Sequence, residues 1–241
     1  MTITILHDHE KPAGKDGAPA VLEGFRAGQT GVVVLGRVIT GDIAVTLAGL
    51  IQRELLAAGE TADGGDWLLT RPAGTASRQQ GGALLDYEKR LLDGLSEGGG
   101  ASRLSSLAGR FEKVLDEARK VLIREAVHQG WLRHLRHDQR TPRGEELAGH
   151  VRAFRRDLRR LAAAGDQRAL SGQLLPYALR FGLLSDEQAP LVRFAQAWVR
   201  AFADLPGWAP PKPARPEYGS SQPLFADASR IPGAGLGATG W

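Results

Sequence analysis

The spacing of apolar residues changes period several times along this chain, and each change marks an element. Ile43, Leu47, Leu50, Ile51 and Leu55 fall at i, i+4, i+7, i+8 and i+12, one stripe of an amphipathic helix. ETADGGD follows with turn chemistry, and DWLLTRP reads as a short strand stopped by Pro72. Upstream, TITIL has the look of a short strand, and GVVVLGRVIT that of a buried strand or a lead-in. A helix followed by a two-stranded flap is how winged-helix modules are built.

Further on, ALLDYEKRLLDGL predicts a second helix with Leu84, Leu85, Leu91, Leu92 and Leu95 inward, ended by SEGGG. SRLSSLAGRF predicts a short helix, and FEKVLDEARKVLIREAVHQGW a long one closed by Gly130. After the basic stretch LRHLRHDQRTPRG, the residues Leu147, Val151, Phe154, Leu158 and Leu161 step by four, three, four and three. That seam has to pack on something, and Arg152, Arg155, Arg156, Arg159 and Arg160 fill the rest of the circumference. QLLPYALRFGLL comes next, and a last helix places Leu191, Phe194, Trp198, Phe202 and Leu205 on one side.

Proline and glycine make up 13 of the 36 residues from Pro206 to Trp241, a composition that argues against an autonomous core. Spaced through that stretch, Leu224, Phe225, Ile231, Leu236 and Trp241 read as anchors by which a tail lies along a surface, its own or a partner's.

The 241 residues suffice for one large domain or two small ones. With no cysteine, disulfides, thiolate metal sites and cysteine nucleophiles are excluded. The first residues lack the basic start and apolar core of a secretory signal, and no apolar run approaches the roughly 20 residues of a membrane span. The expectation is a soluble, cytoplasmic, bacterial protein without transmembrane insertion. Net charge is only +4, yet Trp131 to Arg160 holds nine arginines against four acids, leaving about −1 for the rest.

Asp66-Trp67 with Leu69, Tyr87-Glu88 with Leu91-Leu92, Leu104-Ser105-Ser106-Leu107, Phe111 and Gly130-Trp131 occur in an order that resembles the cytoplasmic region of the YciQ-like predicted membrane proteins. Arg140-Thr141, Gly144, Phe154-Arg155 and Leu175-Pro176-Tyr177-Ala178 with Gly182 continue the likeness over about residues 40–205. Members of that family carry an N-terminal secreted domain and membrane helices between the Gly-Trp and Arg-Thr motifs; here only Leu132 to Gln139 joins them. The resemblance implies a soluble relative, and because the family's function is unknown it informs the fold more than the task. It also places the Leu175-Pro176-Tyr177 segment at a structural junction before the last helix. Pro176 marks a kink or a helix start, and the apolar residues around it predict a segment that closes a core.

Candidate chemistry is sparse. His7 and His9 would share one face of a strand, without a third fixed ligand, and read as an exposed polar terminus. Glu146 and His150 form an i, i+4 pair typical of a helix surface. His128, His134 and His137 tune the charge of the basic stretch. GLGATG spells a dinucleotide-binding motif with no helix to follow, and SEGGGAS lacks the ending of a phosphate loop. No catalytic, metal or cofactor-binding residue is predicted, and no cofactor.

These readings combine into a mainly α fold with a small β hairpin, a winged-helix-like N-terminal subdomain packed on a C-terminal helical subdomain. The divisions are a flexible segment 1–30, the first subdomain 31–132, a basic linker 133–143, the second subdomain 144–206 and a Pro/Gly-rich tail 207–241. The expected function is a non-catalytic interaction module, an adaptor or scaffold that binds another protein through its body and tail. One alternative is a nucleic-acid-binding regulator that contacts phosphates through Arg152, Arg155, Arg156, Arg159 and Arg160. Another is a recognition body whose C-terminal peptide is modified by a partner enzyme.

Overall fold

The computed structural model describes residues 24–72, 83–97, 100–134, 137–166, 170–184, 189–205 and 208. A 3-10 turn, Ala27–Gln29, leads into α1 (Thr30–Leu35) and α2 (Thr40–Gln52). A hairpin of β1 (Ala57–Glu60) and β2 (Trp67–Thr70) precedes α3 (Asp86–Ser96). Then come β3 (Ser102–Arg103), α4 (Leu104–Leu107), α5 (Glu112–His128), β4 (Leu132–His134), β5 (His137–Arg140) and α6 (Pro142–Ala163). A second 3-10 turn, Gly172–Leu174, runs into α7 (Leu175–Arg180), and α8 (Pro190–Ala201) follows. The protein is therefore mainly helical with small antiparallel sheets, as the periodicity predicts. No helix among the described residues is long and apolar enough to cross a membrane.

Ten of the thirteen residues of α2 are buried, so the stripe seen in the sequence understates it: α2 is wrapped on all sides. It packs against α8, α7 and the first 3-10 turn. The aromatic end of α8 fills the space on the α5 side, where Trp198 meets Phe111 edge-on at 5.9 Å and Phe202 at 4.5 Å. Buried residues from both halves of the chain belong to one apolar cluster.

The hairpin pairs Ala57 with Thr70 and Glu60 with Trp67, and Leu69 pairs in turn with Ser102, making three strands in the order β1-β2-β3. The Asp66 carboxylate ties this sheet to α4, accepting from Trp67 N at 2.8 Å, Ser105 N at 3.1 Å and Ser105 Oγ at 2.6 Å. These bonds hold its carboxyl below the usual range, against the desolvation that acts the other way.

Four expectations need correction. GVVVLGRVIT is not a strand: Thr30–Leu35 is helical and stops at Gly36, whose φ of 71° is left-handed. Val32 and Val33 are fully buried there, and α1 packs on α6 and α5, so tertiary burial outweighs the β preference of three valines. Secondly, the stretch expected to be flexible up to residue 30 is structured from Gly24 onward, with Phe25 and Ala27 in the core. Thirdly, the basic linker is a β hairpin, with Leu132 opposite Arg140 and His134 opposite His137. Arg140 leaves it to donate to the Val34 carbonyl at 2.8 Å and to pair with Glu145 at 2.7 Å, which covers charge that the sequence made look solvated. Lastly, Trp208 lies inside the proposed tail yet is only 1% exposed, beneath the Arg119 guanidinium at 5.6 Å. The body therefore extends past the predicted boundary.

In the Leu175-Pro176-Tyr177 segment, Leu175 and Pro176 are half-buried and Tyr177 is buried. Pro176 stands in the first turn of α7, where its missing N–H costs nothing, and Tyr177, Ala178, Leu179 and Phe181 are buried.

Candidate functional site

α2 and α7 run antiparallel and in contact, and each end of the pair carries a polar arrangement. At one end, Asp42 is 0% exposed and Arg180 has 7% of its side chain accessible; Arg180 Nε donates to Asp42 Oδ1 at 2.8 Å. The same carboxylate accepts from Gly31 N at 3.1 Å and Ile39 N at 2.9 Å, so it also caps the start of its own helix. Gly31 makes this approach feasible, because a Cβ there would occupy the position of the Asp42 carboxylate. Burial pushes the Asp42 carboxyl above its ordinary range, and the Arg180 charge and the two amides pull it back. Neither residue was singled out from the sequence. The available signal was one acid inside TGDIAVTLAGL and one base inside LPYALRFGLL, lone opposite charges in otherwise apolar segments.

At the other end, α2, α7, the start of α3 and both 3-10 turns enclose a cleft of about 460 Å³, open on one side. Val45, Gly49, Pro176 and Tyr177 supply its apolar wall, and Arg26, Gln52, Arg53, Tyr87 and Glu88 its polar one. Glu88 is buried with both oxygens committed, one to Arg53 Nη1 at 2.9 Å and the other to Leu85 N at 3.0 Å. Tyr177 donates its hydroxyl hydrogen to the Phe25 carbonyl. The Tyr87 hydroxyl is fully enclosed and makes no well-formed hydrogen bond; its neighbour Thr46 donates to the Asp42 carbonyl at 2.7 Å. Burial, with the Glu88 charge adding to it, pushes the Tyr87 phenol well above its usual range, so Tyr87 stays a neutral donor. Behind it, Glu125 accepts from Asp86 N at 3.2 Å at the start of α3, and burial raises its carboxyl to about 7.

The rim of the cleft holds a backbone anomaly. Glu54, at φ 57°, is the one non-glycine residue with positive φ among the described residues. Glu54 N bonds Ile51 O at 3.0 Å and Leu55 N bonds Leu50 O at 2.9 Å, the paired bonds of a Schellman helix end. The same pair of bonds closes α5 at Gly130, α6 at Gly165 and α7 at Gly182, each time with glycine in the left-handed position. Only at the cleft does a side chain occupy it, at a conformational cost of about 1 kcal/mol. Glu54→Gly is expected to raise the unfolding free energy by about that amount in urea titrations. Unchanged or lower stability would mean that side-chain contacts of Glu54 outweigh the strain.

The arginine face of α6 divides in the structure. Arg152, Arg156 and Arg160 are exposed, with Glu145 4.0 Å from Arg152 and Asp157 3.0 Å from Arg160. Arg155 and Arg159 turn partly inward. Arg155 lies over the Phe181 ring at 5.7 Å, with its Nε buried and without an acceptor. Burial and the nearby charges of Arg159 and Arg180 hold its guanidinium below the ordinary arginine range.

No group of three or more metal-capable side chains occurs among the described residues. His7 and His9 lie outside those residues, as do the predicted anchors Leu224, Phe225, Ile231, Leu236 and Trp241. Compared with protein-family models, with curated proteins and with solved structures, the chain matches none of them at a significant level.

Proposed function

We propose that this chain is a non-catalytic binding module for a partner polypeptide, and that the cleft between α2, α3 and α7 is where recognition takes place. The observation that carries this reading is open room beside a polar wall whose buried acid is already satisfied. Glu88 has Arg53 on one oxygen and the Leu85 amide on the other, so it grips rather than transfers protons. Val45, Pro176 and Tyr177 offer an apolar seat for one side chain, while Gln52, whose amide nitrogen donates to the Gly172 carbonyl, keeps its side-chain oxygen as an acceptor for a main-chain N–H at the opening. Tyr87, Glu88, Pro176 and Tyr177, all among the residues that carry the resemblance to YciQ-like proteins, line this cleft from distant parts of the chain. That convergence supports the site.

A random peptide library displayed on phage and panned against the purified protein provides the test. Gly49 lines the cleft, and a Cβ added there meets Pro176 at an ordinary 3.7 Å, so Gly49→Met intrudes without breaking the helix pair. Enriched peptides are expected to lose about ten-fold in affinity, roughly 1.4 kcal/mol, on Gly49→Met and to be indifferent to Lys113→Ala on α5. A library that enriches nothing, or peptides insensitive to Gly49→Met, overturns the reading.

A further inference from the structure

We infer that the polypeptide recognised by the cleft brings a lysine or arginine to its rim, and that Glu54 is the residue that selects it. The inference rests on the cleft being a polypeptide site and adds the charge of what enters it. Glu54 holds the place that glycine fills at the ends of α5, α6 and α7, and it is the one non-glycine residue at positive φ among the described residues. A strained residue of this kind points to a task for its side chain, since glycine would meet the backbone requirement without cost. Glu54 lines the cleft and is exposed, so the strained turn brings a carboxylate to the opening and not into the core.

Two further features favour a cation at this end of the cleft. The helix α2, 13 residues long, finishes at Gln52, and the carbonyl end of a helix carries partial negative charge. Gln52 gives its amide nitrogen to the Gly172 carbonyl and keeps its side-chain oxygen as an acceptor. The arginines that line the cleft are otherwise engaged or placed. Arg53 pairs with Glu88, so those two charges offset one another. Arg26 has an interaction of its own and leads into the first 3-10 turn, where Gly28 lies against Asp42 and Thr46, about two turns of α2 before Glu54. Glu54 also has an interaction of its own, but a carboxylate offers about four acceptor sites and can share them with an incoming cation. Gly49 and Pro176 stand between the two ends. The arrangement fits a segment that seats an apolar side chain on Pro176 and turns a basic one toward Glu54.

The probe is the random peptide library panned on the full chain, restricted to peptides whose binding falls on Gly49→Met, since those occupy the cleft. These peptides should share a lysine or arginine in fixed register with an apolar residue. Glu54→Gln keeps the bulk of the side chain and removes its charge. It should weaken the shared peptides about three- to five-fold in low-salt buffer, with the difference closing at about 0.5 M sodium chloride. Glu54→Gly should weaken them as well while raising the Tm, an opposition that a residue serving only the fold would not show. Panning the same library on Glu54→Lys should enrich aspartate or glutamate where the wild-type chain enriched the base. The inference is overturned if the Gly49-dependent peptides share no basic residue, or if they bind Glu54→Gln as tightly as wild type. In both of those cases the cleft remains a polypeptide site. If no peptide depends on Gly49, the polypeptide reading falls and takes this inference with it.

Discussion

Arg180→Met should lower the unfolding free energy by about 3–5 kcal/mol at pH 7, the range for breaking a buried pair from one side. The substitution keeps most of the apolar stem and leaves the Asp42 carboxylate, 0% exposed, with two amides and no cation. Desolvation already raises the Asp42 carboxyl, and Arg180 is the largest force opposing it. Without Arg180 the folded-state value climbs further. A carboxyl whose folded pKa exceeds the unfolded one contributes stability that is complete at low pH and lost as pH rises through the folded value. The deficit of the variant should therefore narrow on acidification, when neutral Asp42 needs no cation. Urea titrations at several pH values check both parts. A deficit below about 1 kcal/mol, or one independent of pH, would show that the pair does not clamp α2 to α7.

Replacing both partners with apolar groups should not rescue the fold, as it does for some isolated ion pairs. Asp42 also satisfies the amides of Gly31 and Ile39, and burying those without an acceptor costs about 1–3 kcal/mol each. The pair is thus tied to the backbone that shapes the first 3-10 turn and α1, and through them one wall of the cleft.

The second large effect is a contrast within α6. Gly149 faces open space, and Gly149→Ala should stabilise the protein by about 0.5–1 kcal/mol through the lower entropy of the unfolded chain. Gly144 sits where α6 crosses the residue just before β4. A Cβ there would overlap the Trp131 carbonyl oxygen and lie 2.9 Å from its carbon and 3.1 Å from Trp131 Cα. Those are backbone atoms, and Thr141 N holds the same carbonyl at 3.0 Å while the Thr141 hydroxyl donates to the neighbouring Gly130 carbonyl. Neither side can yield cheaply. Gly144→Ala should cost about 2–3 kcal/mol, the reverse of what helix propensity alone predicts. Equal signs for the two variants in chemical unfolding would refute the close approach.

Much of the architecture was legible because burial leaves a periodic trace. The seam from Leu147 to Leu158 is buried as spaced, α3 and α5 occur where the leucines repeat, and Pro176 marks the start of α7. The trace fails where packing, not periodicity, decides. Three consecutive valines in α1 give the same local pattern whether they enter a sheet or a helix, and only the neighbours α5 and α6 select the helix. The arginine row looked uniform because a sequence shows which residues share a circumference, not how deep each sits. Recession of Arg155 over Phe181 depends on a residue 26 positions away.

By itself, the sequence determined the number and kind of most helices, the first hairpin and the absence of cysteine chemistry, since these follow from local period, turn residues and composition. Tertiary structure alone decided that Asp42 meets Arg180, that Tyr87 and Tyr177 share a cleft, and that Trp208 belongs to the body. Each of these joins residues far apart in the chain, and their pairing is set by how the helices cross, which no short window of sequence contains.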